Sequence, residues 1–154
     1  MRQSLSDTPT LATPTARRVP YAGLALALLA AIGLAVAAVV DQAGGRALVD
    51  HATEAYRSHG EAVSADLLYG LIYCVAGANI VLWAAVLRSA SVGSRWAALL
   101  TGLAIAVGVA LAGALLGAQE YGEQVFPARW GLLALVSPAA GVLVLVRLAR
   151  RRSD

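Results

Sequence analysis

Four long apolar stretches limit what this chain of 154 residues can fold into more than any other feature of its sequence. They cover residues 21–40, 67–87, 96–117 and 128–146. An α-helix of about 20 residues rises about 30 Å, which is the thickness of the hydrocarbon core of a bilayer. Backbone groups in hydrocarbon need hydrogen-bond partners within their own segment, and a helix provides them. We therefore predict an all-α integral membrane protein whose four spans form a helix bundle.

The charged residues divide into two groups by their position relative to the predicted spans. The links after the first and third spans hold seven of the nine acidic residues but only Arg46, Arg57 and Arg129 among the twelve cations. The other nine cations lie on the opposite side and are Arg2, Arg17, Arg18, Arg88, Arg95, Arg147, Arg150, Arg151 and Arg152. Because positively charged flanks stay in the cytoplasm, we predict a multi-pass plasma-membrane protein with both termini cytoplasmic.

Two tails flank the predicted membrane domain. Residues 1–20 are rich in Ser, Thr and Pro and have too few apolar residues to fold alone, which predicts a disordered cytoplasmic tail. Residues 147–154 are basic, and we expect them to contact anionic lipid headgroups, at about 1 kcal/mol per arginine. Arg17 and Arg18 before the first apolar stretch are also compatible with a cleavable signal sequence. That stretch is longer than the usual signal core of about 7–15 residues, so we favour a retained span.

The segment 41–66, between the first two spans, is the largest part predicted to lie outside the membrane. Four of its apolar side chains fall on one face of a helix, and these are Leu48, Ala52, Ala55 and Tyr56. This pattern predicts a short amphipathic helix on the membrane surface or on the end of the bundle. Ser58 and Glu61 have the spacing of a capping box, which predicts that the helix of the second span starts there.

Polar and aromatic residues mark particular depths in the spans. Asn79 lies past the middle of the second span, where an unpaired amide is costly, so we expect it to hydrogen-bond to a neighbouring helix or line a cavity. Trp83 and Trp96 are predicted to lie near the membrane interface, which their amphipathic rings prefer. Pro138 should kink the fourth span because it removes a backbone hydrogen bond, which the hydroxyl of Ser137 would partly replace.

Small residues recur at helical spacing in the second and third spans. They are Gly70, Cys74, Gly77 and Ala84 in the second span, and Ala104, Gly108, Ala112, Gly113 and Gly117 in the third. Small side chains let two helix backbones approach closely inside a membrane. We predict that these strips pack against other helices of the bundle, with homodimerisation as the alternative.

Two histidines in the segment 41–66 form the only cluster with metal-ligand chemistry. His51 and His59 lie near three carboxylates, those of Asp50, Glu54 and Glu61. Two histidines without defined geometry are far from a complete set of ligands, and the alternative is a solvated polar helix face. We therefore predict no catalytic, metal or cofactor site in the chain.

Other classes of function lack the residues that they require. Apart from Arg129 at the edge of the fourth span, the spans contain no charged side chain and no histidine, which argues against ion-coupled transport. Cys74 is the only cysteine, so the chain cannot form an internal disulfide or a redox dithiol pair. No phosphate-binding loop, zinc spacing or basic stripe is found, and we predict no nucleic-acid partner.

Three hypotheses for function follow. In the leading one, the chain is a non-enzymatic assembly or accessory protein that acts with copies of itself or with a membrane-protein partner. The alternative is a small transporter or permeation pathway for a neutral or lipophilic compound. Its polar cleft would be formed by Asn79, Tyr69, Tyr73 and Pro138. The third is an enzyme at the outer interface that uses His51, His59 and the adjacent acids.

The arrangement of these elements resembles the uncharacterised four-span membrane proteins of high-GC Gram-positive bacteria. The similarity rests on the arginine-flanked first span at Arg17 and Arg18, the segment from His51 to Tyr56, and the short turn from Arg88 to Trp96. It implies the same four-span topology in a bacterial plasma membrane. It implies no particular activity.

Overall fold

The computed structural model describes residues 15–92 and 96–150, without the side chains of residues 15–20 and 148–149. It contains five α-helices, which are α1 (Thr15–Ala43), α2 (Ala47–Tyr56), α3 (Ala65–Ser91), α4 (Ala97–Gly117) and α5 (Ala128–Arg150). A short 3₁₀ helix, Arg57–His59, follows α2. Two short antiparallel strands, β1 (Gln119–Glu120) and β2 (Glu123–Gln124), form a hairpin between α4 and α5.

Four of the helices are long and apolar enough to cross a membrane. Their spanning parts are Tyr21–Ala43 of α1, Ala65–Ser91 of α3, Ala97–Gly117 of α4 and Ala128–Arg147 of α5. This result confirms the prediction of four apolar helices and indicates a multi-pass membrane protein. Large apolar side chains also stay on the outer surface of these helices, for example Leu29 and Val81, which are 62% and 68% exposed. Such an exterior is expected where lipid is the solvent.

Consecutive spans run in opposite directions and contact one another along their length. The hydroxyl of Tyr21, near the start of α1, donates to the carbonyl of Ala90 at the end of α3 over 3.1 Å. At the opposite end of the molecule, the hydroxyl of Tyr69 in α3 donates to Asp41 in α1. α1 contacts α3 and α5, and α4 contacts α5 and, less extensively, α3.

Buried side chains form two clusters at different depths. One surrounds Tyr69 and Ile72 of α3, near the end where α2 and the hairpin lie, and it includes Leu48, Phe126 and Trp130. The other lies toward the opposite end. Its members are Leu24, Ala27, Ala31, Trp83, Val86, Ala104, Ala140 and Val144. α2 and the residues that flank the hairpin, Ala118, Val125 and Phe126, are thus part of the first cluster.

The first and third helices in the chain do not begin where the sequence predicts. α1 begins at Thr15, inside the predicted disordered tail, because extending an existing helix by less than two turns costs far less than nucleating one. Residues 1–14 lie outside the described part of the chain.

The start of α3 requires a second correction. The predicted capping box at Ser58 is wrong: the hydroxyl of Ser64 accepts from the backbone N–H of Leu67 at 3.3 Å, and Ser64 is the N-cap. Ser58 belongs to the 3₁₀ helix instead, and its hydroxyl bonds to the Nδ1 of His59. Gly60 ends that helix with a φ of 68°, so the chain must leave helical geometry before α3 can start.

Candidate functional site

The end of the molecule that carries α2 and the hairpin has the most organised polar structure, and we call residues 41–66 and 118–129 the polar cap. Its centre is the carboxylate of Asp41, near the end of α1. One oxygen, Oδ2, accepts from the backbone N–H of Leu48 at 3.0 Å and from the hydroxyl of Tyr69 at 2.9 Å. The other, Oδ1, lies 3.4 Å from the guanidinium of Arg129. One carboxylate therefore joins α1, α2, α3 and α5.

A sharp reversal after α1 allows α2 to reach this carboxylate. Arg46 has a φ of 50°, in the left-handed region, and its N–H donates to the carbonyl of Asp41 at 2.9 Å. The reversal folds α2 back so that Leu48 and Ala52 are completely buried. These are two of the four residues that the sequence assigned to the apolar face of this helix.

Two further hydrogen bonds hold other parts of the polar cap. The hydroxyl of Tyr73 in α3 donates to the Oε1 of Gln42 at 2.6 Å. The Nε2 of His51 in α2 lies 3.0 Å from the carbonyl oxygen of Gln124 in the hairpin. The polar cap is thus tied to the helix ends below it and across its own surface.

The hairpin turn carries an aromatic cluster. Tyr121 and Gly122 both have positive φ values, 54° and 85°, which make the turn tight and project the Tyr121 ring outward. The imidazole of His59 stacks on this ring with a centroid distance of 4.2 Å, and Tyr56 meets its edge at 5.9 Å. The hydroxyl of Tyr56 also donates to the carboxylate of Glu120. This hydrogen bond, together with partial burial, raises the pKa of Tyr56 to about 12.

A cleft of about 480 Å³ opens between the polar cap and the start of α3. Its walls include Tyr56 and Tyr121, the carboxylates of Glu61 and Glu120, and the hydroxyl of Ser64. Leu71, Ala118 and Phe126 are among its apolar lining. The cleft therefore combines acidic and aromatic side chains with apolar ones.

Asn79 is almost completely buried in the middle of the helices, at 1% exposure. Its Nδ2 donates to the carbonyl of Val75 in its own helix at 2.9 Å, and not to a neighbouring helix as predicted. A helical Asn can reach the carbonyl one turn back, so the amide is partly satisfied locally. Its Oδ1 has no hydrogen-bond partner in the described part of the chain and points toward Gly108 of α4. A Cβ at Gly108 would lie 2.9 Å from that oxygen and 3.3 Å from Pro138 of α5.

Four of the glycines that the sequence singled out make no close contact with another helix in one copy of the chain. At Gly70, Gly77, Gly113 and Gly117, an added Cβ would meet no atom of another described residue within 4 Å. The prediction that these four glycines pack within the bundle is therefore wrong for one copy of the chain, because the faces that carry them point away from the neighbouring helices. The strip Ala104, Gly108 and Ala112 is buried, so close packing is confirmed there.

Three glycines that the sequence did not single out also make close contacts. Gly131 lies against Leu116, since a Cβ there would be 2.6 Å from its Cδ2. Gly141 accommodates the ring of Trp83, whose Cζ2 would be 2.9 Å from a Cβ. Gly23 similarly lies against Val144. Two of these glycines lie at four-residue spacing from another small residue, Gly23 from Ala27 and Gly141 from Ser137. Large side chains lie against all three, and Gly131 also approaches the α4 backbone, since a Cβ there would be 3.2 Å from the carbonyl oxygen of Ala112.

Trp83 and Ser137 both contact other helices. Trp83 is fully buried among α3, α4 and α5, so its ring faces protein side chains. The hydroxyl of Ser137 donates to the carbonyl of Ala27 in α1 at 2.9 Å. It therefore joins two helices instead of replacing the hydrogen bond that Pro138 removes from α5.

The two histidines of the polar cap belong to separate contacts. His51 bonds to the hairpin backbone, whereas His59 stacks on Tyr121 and bonds to Ser58. Within residues 15–92 and 96–150, no group of three or more His, Cys, Asp or Glu side chains is arranged to hold a metal ion. The histidines thus have structural partners in the aromatic cluster and the hairpin.

Comparison of the chain with protein-family models, with curated proteins and with solved structures finds no match.

Proposed function

We propose that this chain is a non-enzymatic assembly or accessory protein of a bacterial plasma membrane. In this proposal the four spans form a bundle, both termini are cytoplasmic, and the polar cap lies outside the cell with α2 as an amphipathic cover. The polar cap binds a membrane-protein partner or a second copy of the chain. Anionic lipid headgroups contact the arginines at the opposite end, at about 1 kcal/mol for each arginine near the surface.

The single observation that carries the proposal is the set of contacts that the Asp41 carboxylate makes with Leu48, Tyr69 and Arg129. Because one carboxylate holds α1, α2, α3 and α5 together, the outer surface of the polar cap is displayed on a rigid base. A surface that is ordered before binding loses little conformational entropy when a partner docks.

The outer surface itself supports recognition by charge. Asp50, Glu54, Glu61, Asp66 and Glu123 are all exposed there, and the cations of the polar cap are fewer. The negative electrostatic potential of this surface favours a partner with a basic surface and speeds the association of the two proteins. The same excess of acidic residues supports an external polar cap, since arginines concentrate at the other end of the helices.

A labelling experiment tests the topology. Ser58 and Ser91 are exposed residues at opposite ends of the molecule, so each is replaced by cysteine in a Cys74→Ser background. A membrane-impermeant maleimide should label Ser58→Cys in intact cells and Ser91→Cys only after permeabilisation. The reverse pattern, or labelling of both in intact cells, would contradict the proposed orientation.

A crosslinking experiment tests assembly. A photoreactive amino acid is placed in native membranes at Glu54, which is exposed on the polar cap, and, as a control, at Leu29, which faces lipid. We expect a discrete protein adduct from Glu54 that weakens when Asp50 is changed to Lys. Recovery of only the isolated monomer from both positions would count against an assembly role.

The alternative of a permeation pathway receives less support from the arrangement of the side chains. It requires the tyrosines of α3 and Asn79 around one polar cleft. The hydroxyls of Tyr69 and Tyr73 bind Asp41 and Gln42 at the polar cap, whereas the Asn79 amide is closely packed against Gly108. These groups therefore do not line a common passage.

A further inference from the structure

We propose that the cleft of the polar cap and an apolar groove beside it form one binding site for a membrane amphiphile with a cationic head and a hydrocarbon tail. The proposal goes beyond the assembly role and does not depend on which side of the membrane the polar cap faces. It rests on three observations: the side chains that line both cavities, the charge of the cleft and the apolar lining of the groove.

The two cavities are adjacent. The groove, of about 520 Å³, lies between α3 and α4. The side chains of Leu71, Ala118 and Phe126 line both the groove and the cleft. In our proposal a molecule places its head in the cleft and its tail along the groove, across these shared side chains.

The cleft is suited to a cationic head. Its lining includes the carboxylates of Glu61 and Glu120 and contains no basic side chain. The rings of Tyr56 and Tyr121 lie at 90° to each other in the same wall, which gives an ammonium group aromatic surface as well as negative charge. An anionic head would meet only like charges there. Charge complementarity thus selects an amine or a quaternary ammonium group.

The groove is suited to a hydrocarbon tail. Cys74, Ala78 and Ala114 are small side chains that leave open space between α3 and α4, and leucines form the sides. Cys74 belongs to the small-residue strip for which the sequence predicted helix packing, so that strip borders a groove instead. From Leu71 to Ala78, α3 rises about 10 Å, which is enough to align the upper part of a chain beside the bilayer. The exposed groove opens to lipid, and the amphiphile enters it sideways from the membrane.

Cys74 provides the test, because it is the only cysteine and lies in the groove. The full chain is placed in nanodiscs of zwitterionic lipid with a fluorescent bimane on Cys74. An alkylamine brominated along its chain is added as quencher, and an equally long brominated alkyl sulfate serves as the matched amphiphile. A bimane on Leu29→Cys in the Cys74→Ser background reports quenching by amphiphile that is merely dissolved in the bilayer.

We expect the amine to quench the Cys74 label at about tenfold lower loading than the Leu29→Cys label, and the sulfate to quench both labels alike. The double variant Glu61→Gln and Glu120→Gln should remove this difference, with circular dichroism used to show that it folds. Equal quenching of both labels by the amine would overturn the proposal. Preferential quenching of Cys74 by both amphiphiles would also overturn it, because the cleft would then not select the head.

A second measurement avoids any effect of the bimane on the groove. The rate at which a membrane-permeant maleimide alkylates unmodified Cys74 is measured with and without unbrominated alkylamine. Occupancy of the groove should slow alkylation about tenfold at saturating amine, while the alkyl sulfate leaves the rate unchanged. An unchanged rate with the amine contradicts the site. Because neither measurement involves crosslinking, failure here is distinguishable from failure of the assembly role.

Discussion

Replacing Asp41 by alanine should release α2 from the rest of the protein. The substitution removes the acceptor of two hydrogen bonds and the carboxylate of one ion pair. The bonds from the N–H of Leu48 and the hydroxyl of Tyr69 go to a charged acceptor, and such bonds contribute about 1.5–3 kcal/mol each. Arg129 is 50% exposed, so its ion pair adds only about 0–1 kcal/mol.

The sum sets the expected size of the effect. The lower end of the range for each hydrogen bond is appropriate because the Asp41 side chain is 15% exposed and close to water. We therefore expect Asp41→Ala to destabilise the closed polar cap by about 3–4 kcal/mol. Asp41→Asn retains one acceptor oxygen and should cost about 1–2 kcal/mol.

Hydrogen exchange measures this directly, since α2 can open without unfolding the spans. In Asp41→Ala, the backbone amides of α2 should exchange at least about a hundred times faster, because each 1.4 kcal/mol is tenfold. Glu54→Ala is the matched control: its ion pair with Arg57 joins side chains that are 65% and 74% exposed and is worth about 0–1 kcal/mol. If α2 in Asp41→Ala exchanges as slowly as in the control, Asp41 does not hold the polar cap.

Three other predictions concern the spans and the aromatic cluster. Gly108→Ala should lower resistance to unfolding in detergent by about 1–3 kcal/mol because its methyl group overpacks the helix interface, whereas Gly113→Ala, which meets open space, should be neutral within error. Ser137→Ala should cost about 0.6 kcal/mol in the same assay, the usual value of a hydrogen bond between membrane helices, and a loss above that of Gly108→Ala would contradict this estimate. The tyrosinate absorbance of Tyr56 is the part of the spectrum that is lost in Tyr56→Phe. Its titration midpoint should lie near pH 12 and should move toward pH 10 in Glu120→Gln. Since folding raises this pKa, the hydrogen bond stabilises the polar cap below about pH 10 and is lost as the pH rises through about 12; a midpoint near 10 in the unmodified chain would disprove it.

The polar cap shows how one substitution can affect a large surface. Its outer face is formed by α2 and the hairpin, which contact each other through His51 and Gln124. The positions of α2 and the hairpin depend on the ends of α1, α3 and α5, which the Asp41 carboxylate holds in contact. A change at Asp41 should therefore alter the acidic outer surface and the cleft at the same time.

The number and positions of the spans follow from the sequence alone. Whether a stretch enters hydrocarbon depends on the summed transfer energy of some twenty successive side chains, and this sum does not depend on which helix lies beside it. The apolar face of α2 is similarly a local property, and Leu48 and Ala52 are buried as their spacing predicts.

Only the tertiary structure decides which individual residues meet. Gly70, Gly113 and Gly108 look alike in the sequence, yet only Gly108 faces another helix closely, because the rotation of each helix about its axis determines what its small residues oppose. In the sequence, Asp41 is one of several acidic residues that follow a span. Its contacts with Tyr69 and Arg129 exist only in the folded chain, because both residues are distant from it in sequence. In a membrane, hydrophobicity sorts segments from water but does not distinguish one helix face from another, so close packing and hydrogen bonds make that choice.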